Sequence, residues 1–461
     1  WHSSLRAMPW LPWAARLGEP NRGIDLDALN ARSETPLHIL DDRLHADPSR
    51  VVLRPFHLGW QATTADGSRA RTLVNDIVAL SEADADEEYA KVLHDFSERH
   101  WQTERMFEDR YAEVELSLEL DGSAYSQPRK RLIGAYFCHE YTYAAAALMN
   151  PSIVPHPDQS GMGEDACRFI MSLRAVGEGH ISSIAFREGI AQDDGGFALW
   201  PQGPFATAVA EDQASLTDGI DGIVVSRHPE SSLSNTVIFP VTDQQKNGLE
   251  DLRLVRFDHG GKDYEWIGTY TAYSGHSIRS ELLRTRDFTQ FKLEPIHGRA
   301  GRNKGMALFP EKVDGQYAMV GRQDGKNLYL IRSDTLETWD SDGIKLMGPK
   351  YPWEFIQIGN CGSPIRTDAG WLLFTHGVGA MRKYALGCAL LDLKDPSKVI
   401  ARSARPVLTA IDADRSGYVP NVIYTCGALL VGDQVHIPYG ISDSAVGFAT
   451  APVQDILALM E

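Results

Sequence analysis

Five stretches of this chain repeat one pattern: an apolar-aromatic strand, a turn rich in glycine or polar residues, and a second strand of alternating character. They begin at Arg168, Tyr264, Tyr317, Trp371 and Val435. Their spacing is similar except in the first interval, which carries an insertion over roughly 195–245. A β-sandwich repeats by single strands every 8–12 residues or so. Units of about 40–50 residues with several strands each mark the blades of a β-propeller. Five units therefore predict an all-β five-bladed β-propeller.

The chain before the repeats has a different texture. Between Arg69 and Glu115 there is no glycine, and apolar residues fall at helical spacing: Leu73, Val74, Ile77 and Val78, then Tyr89, Val92, Leu93 and Phe96. A second helical stretch is expected from about Pro128 through Leu132, Ala135 and Tyr136 to Met149. The first 50 residues are mixed and proline-rich, which suits an extended arm. The expected division is an N-terminal arm and α-helical extension over 1–145 and a propeller over 146–461.

Composition excludes several function classes. The 461 residues are 43% hydrophobic and 23% charged, which is globular rather than disordered. Lys and Arg total 45 against 62 Asp and Glu, a formal net charge of −17. Nucleic-acid binding needs a basic surplus to displace counterions, so no nucleic-acid partner is expected, nor an anionic membrane surface. An anionic ligand would need a local basic pocket set against this acidic background. The five cysteines, Cys138, Cys167, Cys361, Cys388 and Cys426, are scattered and form no CxxC pair. That pattern fits neither a disulfide framework nor a cysteine-rich zinc site, and a reducing cytosol is the expected compartment. No apolar run reaches the ~20 residues that cross a bilayer. The chain starts at Trp1, which leaves a removed signal peptide open.

In a propeller, equivalent strand ends converge on the mouth of a central channel. The polar residues at such places in the repeats are Arg174, His180, Arg322, His376 and Asp443. Four of the five are basic or can become so, and around a common axis they would build a positive funnel for an anion. Each alone is more simply a strand-end charge; the recurrence favours a site. Elsewhere Glu250, Asp251 and Arg253 precede an apolar strand, as do Arg302 and Lys304, and Glu354 and Asn360 flank a glycine-rich loop. That loop lacks the spacing of a phosphate-binding or dinucleotide-binding motif. No HExxH metal motif and no serine nucleophile elbow is present, and no metal or cofactor is expected.

These segments resemble glycoside hydrolase family 130, the β-mannoside phosphorylases and related β-mannosidases. The resemblance covers roughly residues 150–461. It rests on NPSIV from Asn150, LEDLR from Leu249, KGMALFPEKVDGQYAMVGR from Lys304 and Trp353-Glu354 with Ile358-Gly359. It continues in GWLLFTHGV from Gly370 with Tyr384, LLDLKDP from Leu390, GYVPNV from Gly417 and YGISD from Tyr439. It implies a five-bladed propeller, in agreement with the repeat count. By resemblance Asp251 is the general acid, relaying a proton to the glycosidic oxygen through the mannose 3-hydroxyl. Inorganic phosphate, a co-substrate, would attack the anomeric carbon from the opposite face and release α-mannose 1-phosphate with inversion. Arg322, His376 and Tyr384 match phosphate-holding positions, with Arg302 or Lys304 as a further basic one. Asn150, Arg174 and Asp443 match the mannose-binding mouth, and His180 joins that substrate-binding set. The chemistry is coherent: a dianionic nucleophile needs cationic donors, and the acid must carry a proton near neutral pH.

One departure counts. Where shorter phosphorylases carry a phosphate-binding lysine before Ile-Gly, this chain has Gln357. An inverting β-mannosidase is therefore the alternative, and it would need a second carboxylate to activate water; Glu178, Glu250 and Glu354 are the candidates. A mannosyltransferase and a non-catalytic sugar-binding propeller are further alternatives. Trp200, Phe205, Tyr270 and Tyr273 could stack on sugar rings, although a place in the core is the commoner fate. The helical extension reads as a lid or as a contact in a homo-oligomer.

Overall fold

A computed structural model of the chain describes residues 35–56, 69–211 and 222–461. Most of the expected N-terminal arm, and residues 212–221 of the expected insertion, lie outside them. Each of the five sequence repeats is an antiparallel hairpin. Ala166–Val176 pairs with Ser182–Gln192, Tyr264–Tyr273 with Ile278–Thr285, and Tyr317–Gly321 with Leu328–Ser333. Gly370–Val378 pairs with Tyr384–Leu391, and Gln434–Ile441 with Ala445–Pro452.

Each hairpin gains a strand on either side, giving five four-stranded antiparallel groups. The first adds Ala147–Pro155 and Thr236–Ile238, and the second adds Gly248–Asp258 and Gln290–Pro295. Only one parallel contact, Gly248 to Ser182, joins these two groups into one sheet. The third adds Ala307–Leu308 and Ile344–Met347, the fourth Gln357–Asn360 and Val399–Arg402. In the fifth, Ile423–Tyr424 lies on one side and the outer strand is His38–His45, from the opposite end of the chain.

The strands read as nearly continuous apolar runs because both faces of most groups are buried. Side chains alternate between faces, and the core clusters follow that alternation. Phe169, Met171 and Leu173 pack with Val446 and Phe448 of the fifth group, while Ile170 packs with Leu254 and Trp266 of the second. Trp371 and Leu373 face Val320 and Leu330 of the third group, whereas Leu372 and Phe374 face Val435 and Ile437 of the fifth. Ile267 and Leu282 meet Met319 and Ile331. Every group is thus cemented to its neighbours in sequence, and the fifth to the first. A one-residue register slip would turn each apolar set toward the wrong neighbour.

Helices Arg69–Val78, Glu82–Phe96, Thr103–Leu118 and Gln127–Tyr136 form a separate core from Val74, Ile77, Phe107, Tyr111, Leu132 and Phe137. Ser81 caps the second by accepting the Asp84 amide at 3.1 Å, with Glu82 and Asp84 in its first turn. The helix expected to run to Met149 stops at Tyr136. Cys138–Thr142 pairs with Val51–Pro55, and Ala147–Pro155 with Ala166–Val176. Strand pairing on either side outweighs the helix propensity of the alanine run, of which Ala144–Ala146 form the connecting turn and Ala147 opens the next strand. No helix among the described residues is long and apolar enough to cross a membrane.

Candidate active site

A cavity of about 720 Å³ opens where the strand ends of several groups meet. Its acidic centre is made by two bulges. Asn150 and Asp251 each have a left-handed backbone, with φ of 50° and 56°. The strand registers shift around them, between Met149 and Ser152 and between Glu250 and Arg253. A bulge re-aims a side chain that regular pleating would send elsewhere, and here the two meet: the Asn150 amide donates to Oδ1 of Asp251 at 2.6 Å.

Arg174 spans the two neighbouring carboxylates. Its guanidinium donates to Asp251 at 3.1 Å, to Glu250 at 2.7 Å and to the Ser182 hydroxyl at 2.9 Å. Behind Asp251 lies Arg253, only 1% exposed. It donates to the carbonyl oxygens of Asp251 at 2.9 Å and Cys361 at 2.7 Å, and to the Tyr424 hydroxyl at 2.5 Å. Burial alone would raise the Asp251 pKa. Arg174, Arg253, the Asn150 amide and Lys304 outweigh it and hold the group at about 2. Asp251 is therefore an anion, where an acid catalyst needs a proton. Burial and the Asp251 charge push Asp443 the other way, up to about 6, against Arg174 and Arg382.

Facing this centre are Lys304, Arg322, Gln357, His376 and Tyr384, all lining the same cavity. Arg322 and His376 approach closely because Gly305 and Gly359 leave room. A Cβ on Gly305, itself at φ +80°, would meet the Arg322 guanidinium at 2.5 Å, and one on Gly359 would meet the His376 ring at 2.2 Å. Burial, then the charges of Arg322 and Arg253, hold His376 well below the usual histidine range. It is a neutral imidazole, not the cation that a funnel of basic residues would suggest. Tyr384 stacks on its ring at 5.8 Å and Tyr424 meets it edge-on at 4.8 Å. Arg322 Nε, His376 Nε2 and Asn150 Oδ1 are buried without a hydrogen-bond partner, and a buried polar atom left so invites a ligand.

Of the residues singled out in the sequence, Asn150, Arg174, Asp251, Lys304, Arg322, His376, Tyr384 and Asp443 line this cavity. Two do not. Arg302 is exposed on the turn Ala300–Arg302, and His180, also exposed, lies beside Tyr418 with 3.4 Å between ring nitrogen and hydroxyl. The candidate water-activating carboxylates fare differently again. Glu354 is buried, accepts the Lys350 and Tyr351 amides and pairs with Arg402 at 2.5 Å. Glu178 is exposed in a turn, and Glu250 is tied to Arg174. Tyr270 belongs to the core. Sequence reasoning missed Tyr424 and Arg382, which also line the cavity; their only signal was proximity to the GYVPNV segment and to Tyr384. No group of His, Cys, Asp or Glu among the described residues is arranged to hold a metal.

A family model described as beta-1,4-mannooligosaccharide phosphorylase, that of glycoside hydrolase family 130, matches residues 207–461. A 1,2-beta-oligomannan phosphorylase of Thermoanaerobacter sp. (strain X514) is 33% identical over 237 residues, spanning 51% of this chain and 77% of that protein. A beta-1,2-mannobiose phosphorylase of the same strain is 36% identical over 210 residues, or 45% of this chain and 67% of that one. Among solved structures, a glycoside-hydrolase candidate from Parabacteroides distasonis superposes with a TM-score of 0.50 at 18% identity. It covers 68% of this chain and 89% of its own, a likeness of fold alone.

Proposed function

Because the chain belongs to glycoside hydrolase family 130, we propose that it catalyses the inverting phosphorolysis of β-mannosides to α-mannose 1-phosphate. The five strand groups are read as the blades of a five-bladed propeller, with residues 1–145 as an arm and helical extension to the catalytic part at 146–461. The five cysteines are free, which supports a reducing cytosol as the place of action.

The observation that carries the reading is the composition of one cavity. Asp251 shares it with Lys304, Arg322 and the unpartnered Nε2 of His376. None of Glu178, Glu250 and Glu354 lines it, so the three carboxylates considered for water activation give the hydrolase reading no support. Asn150, Arg174 and Asp443 are the mannose-facing groups in this reading, and Lys304, Arg322, His376 and Tyr384 the phosphate-facing ones.

Phosphorolysis also balances without a second carboxylate. Hydrogen phosphate forms its bond to the anomeric carbon as the glycosidic bond breaks. The proton it sheds on becoming a sugar phosphate dianion equals the one the leaving oxygen gains. Asp251 handles the latter proton, and its protonation depends on the anion. Lys304 is among the charges that keep Asp251 ionised; a dianion on Lys304 and Arg322 cancels that field and draws a proton onto the carboxylate. Incubation with β-mannobiose, with and without phosphate, tests the proposal. Phosphate-dependent mannose 1-phosphate is the expected product, and free mannose made equally well without phosphate would assign the chain to hydrolysis.

A further inference from the structure

Four cationic side chains line the cavity: Arg174, Lys304, Arg322 and Arg382. Arg174 is committed to Asp251 and Glu250. The other three form no ion pair with any described residue. Arg382 and Lys304 are exposed and Arg322 is half-buried; Arg382 alone of the three stands at the tip of a hairpin turn, between Gly370–Val378 and Tyr384–Leu391.

The turn repeats the backbone of the first hairpin's turn, where Gly179 and His180 are also a left-handed pair, at φ 67° and 60°. Met381 and Arg382 are successive residues at φ 56° and 57°, the left-handed region where a side chain is unfavourable. Met381 is 93% exposed, so the conformation does not serve to bury it. Hydrogen bonds from the Gly379 amide to Lys383 and from the Lys383 amide to Ala380 close the loop. His180 does not line the cavity, whereas Arg382 does, close enough for its charge to act on Asp443.

Resting on the phosphorolysis reading above, we propose that Arg382 is a phosphate-capturing residue, a cation at the lip that draws the dianion from solvent and hands it to Lys304 and Arg322. The need for one follows from charge. The chain carries −17 overall, and Asp251, Asp324 and Asp443 also line the cavity. A dianion approaching such a surface is repelled unless a local cation reverses the field at the entrance. Half-buried Arg322 makes less of a first contact than an exposed guanidinium does, and Arg382 adds a second exposed cation to Lys304. Gln357, whose strand pairs with Val378 at the base of the same turn, leaves that wall uncharged.

The test is a phosphate titration of β-mannobiose phosphorolysis by the full chain. Arg382→Gln is expected to raise the apparent KM for phosphate about tenfold and to flatten the salt dependence of kcat/KM for phosphate. The KM for the mannoside should stay within twofold. Arg382→Lys should recover part of the phosphate affinity. Arg382→Gly separates charge from backbone: it relieves the left-handed strain, yet should show the same phosphate defect. Adding a cation at the base of the same turn with Arg382→Gln/Gln357→Lys should lower the phosphate KM again. An unchanged phosphate KM in Arg382→Gln, or a mannoside KM that rises as much as the phosphate one, overturns the assignment. Failure of the underlying reading looks different, because wild-type turnover would then be indifferent to phosphate before any variant is made.

Discussion

Asn150 and Asp251 lie about a hundred positions apart, yet the amide of one donates to the carboxylate of the other at 2.6 Å, each from a left-handed backbone position at a strand bulge. The contact helps fix the Asp251 rotamer, and Asn150 and Arg174 both engage Oδ1 rather than the second oxygen. Strain at both ends is the counterpart of this aim.

Asp251→Asn retains the volume and an acceptor for Asn150, so binding of the mannoside should survive. Turnover should fall by about 10²–10⁴-fold, the usual weight of a positioned general acid. Steady-state rates on an unactivated mannoside within tenfold of wild type would remove Asp251 from the mechanism.

Arg322→Ala should raise the phosphate KM far more than the mannoside KM if, as proposed, its guanidinium faces the nucleophile rather than the sugar. Phosphate and mannoside titrations of the same preparation check this. Equal rises in both constants would place Arg322 in general support of the cavity.

Stability should respond to pH with opposite signs at two carboxylates. Asp251 is held at about 2, below its ordinary 3.8, so its ionised form stabilises the fold above pH 4 or so, and the gain is lost as pH falls through 2. Asp251→Asn should cost about 2 kcal/mol at pH 7. Asp443 is raised from 3.8 to about 6, so its ionisation destabilises the fold as pH rises through that window. Asp443→Asn should therefore stabilise the protein at pH 7 by up to about 3 kcal/mol and have little effect near pH 3.5. Urea unfolding at the two pH values measures both, and a loss of stability at pH 7 in Asp443→Asn would contradict the sign.

Arg253 joins two carbonyl oxygens and the Tyr424 hydroxyl while fully buried. Arg253→Lys keeps the charge but cannot present the guanidinium fork. Loss of hydrogen bonds from a buried charged group should cost about 1.5–3 kcal/mol, seen in denaturant midpoints. Activity should drop as well, since the Asp251 backbone loses its anchor. A variant within 1 kcal/mol or so of wild type would show that the fork is dispensable.

The hairpins were legible because their signal is local: strand, turn and strand sit within one short stretch, with apolar side chains facing both neighbours. The family motifs brought Asp251, Arg322, His376 and Tyr384 forward for the same reason, as short strings read in order. The strand Cys138–Thr142 was not legible. Its neighbours Ala144–Ala147 favour helix, and only pairing with Val51–Pro55 settles the matter. Nor was the outer strand His38–His45, whose partner Ala445–Pro452 lies at the other end of the chain.

The sequence by itself determined the five paired-strand repeats and the residue types available for chemistry, since both are written in spacing and side-chain identity. Tertiary structure decided what those residues are free to do. It committed Arg174 to Asp251 and Glu250, left Arg322 and Arg382 without an ion pair among the described residues, made His376 neutral and set Asp251 and Asp443 to opposite sides of their ordinary pKa. The reason is that protonation and pairing depend on burial and on charges a few ångströms away, and folding brings those charges from distant strands, 77 positions apart for Arg174 and Asp251.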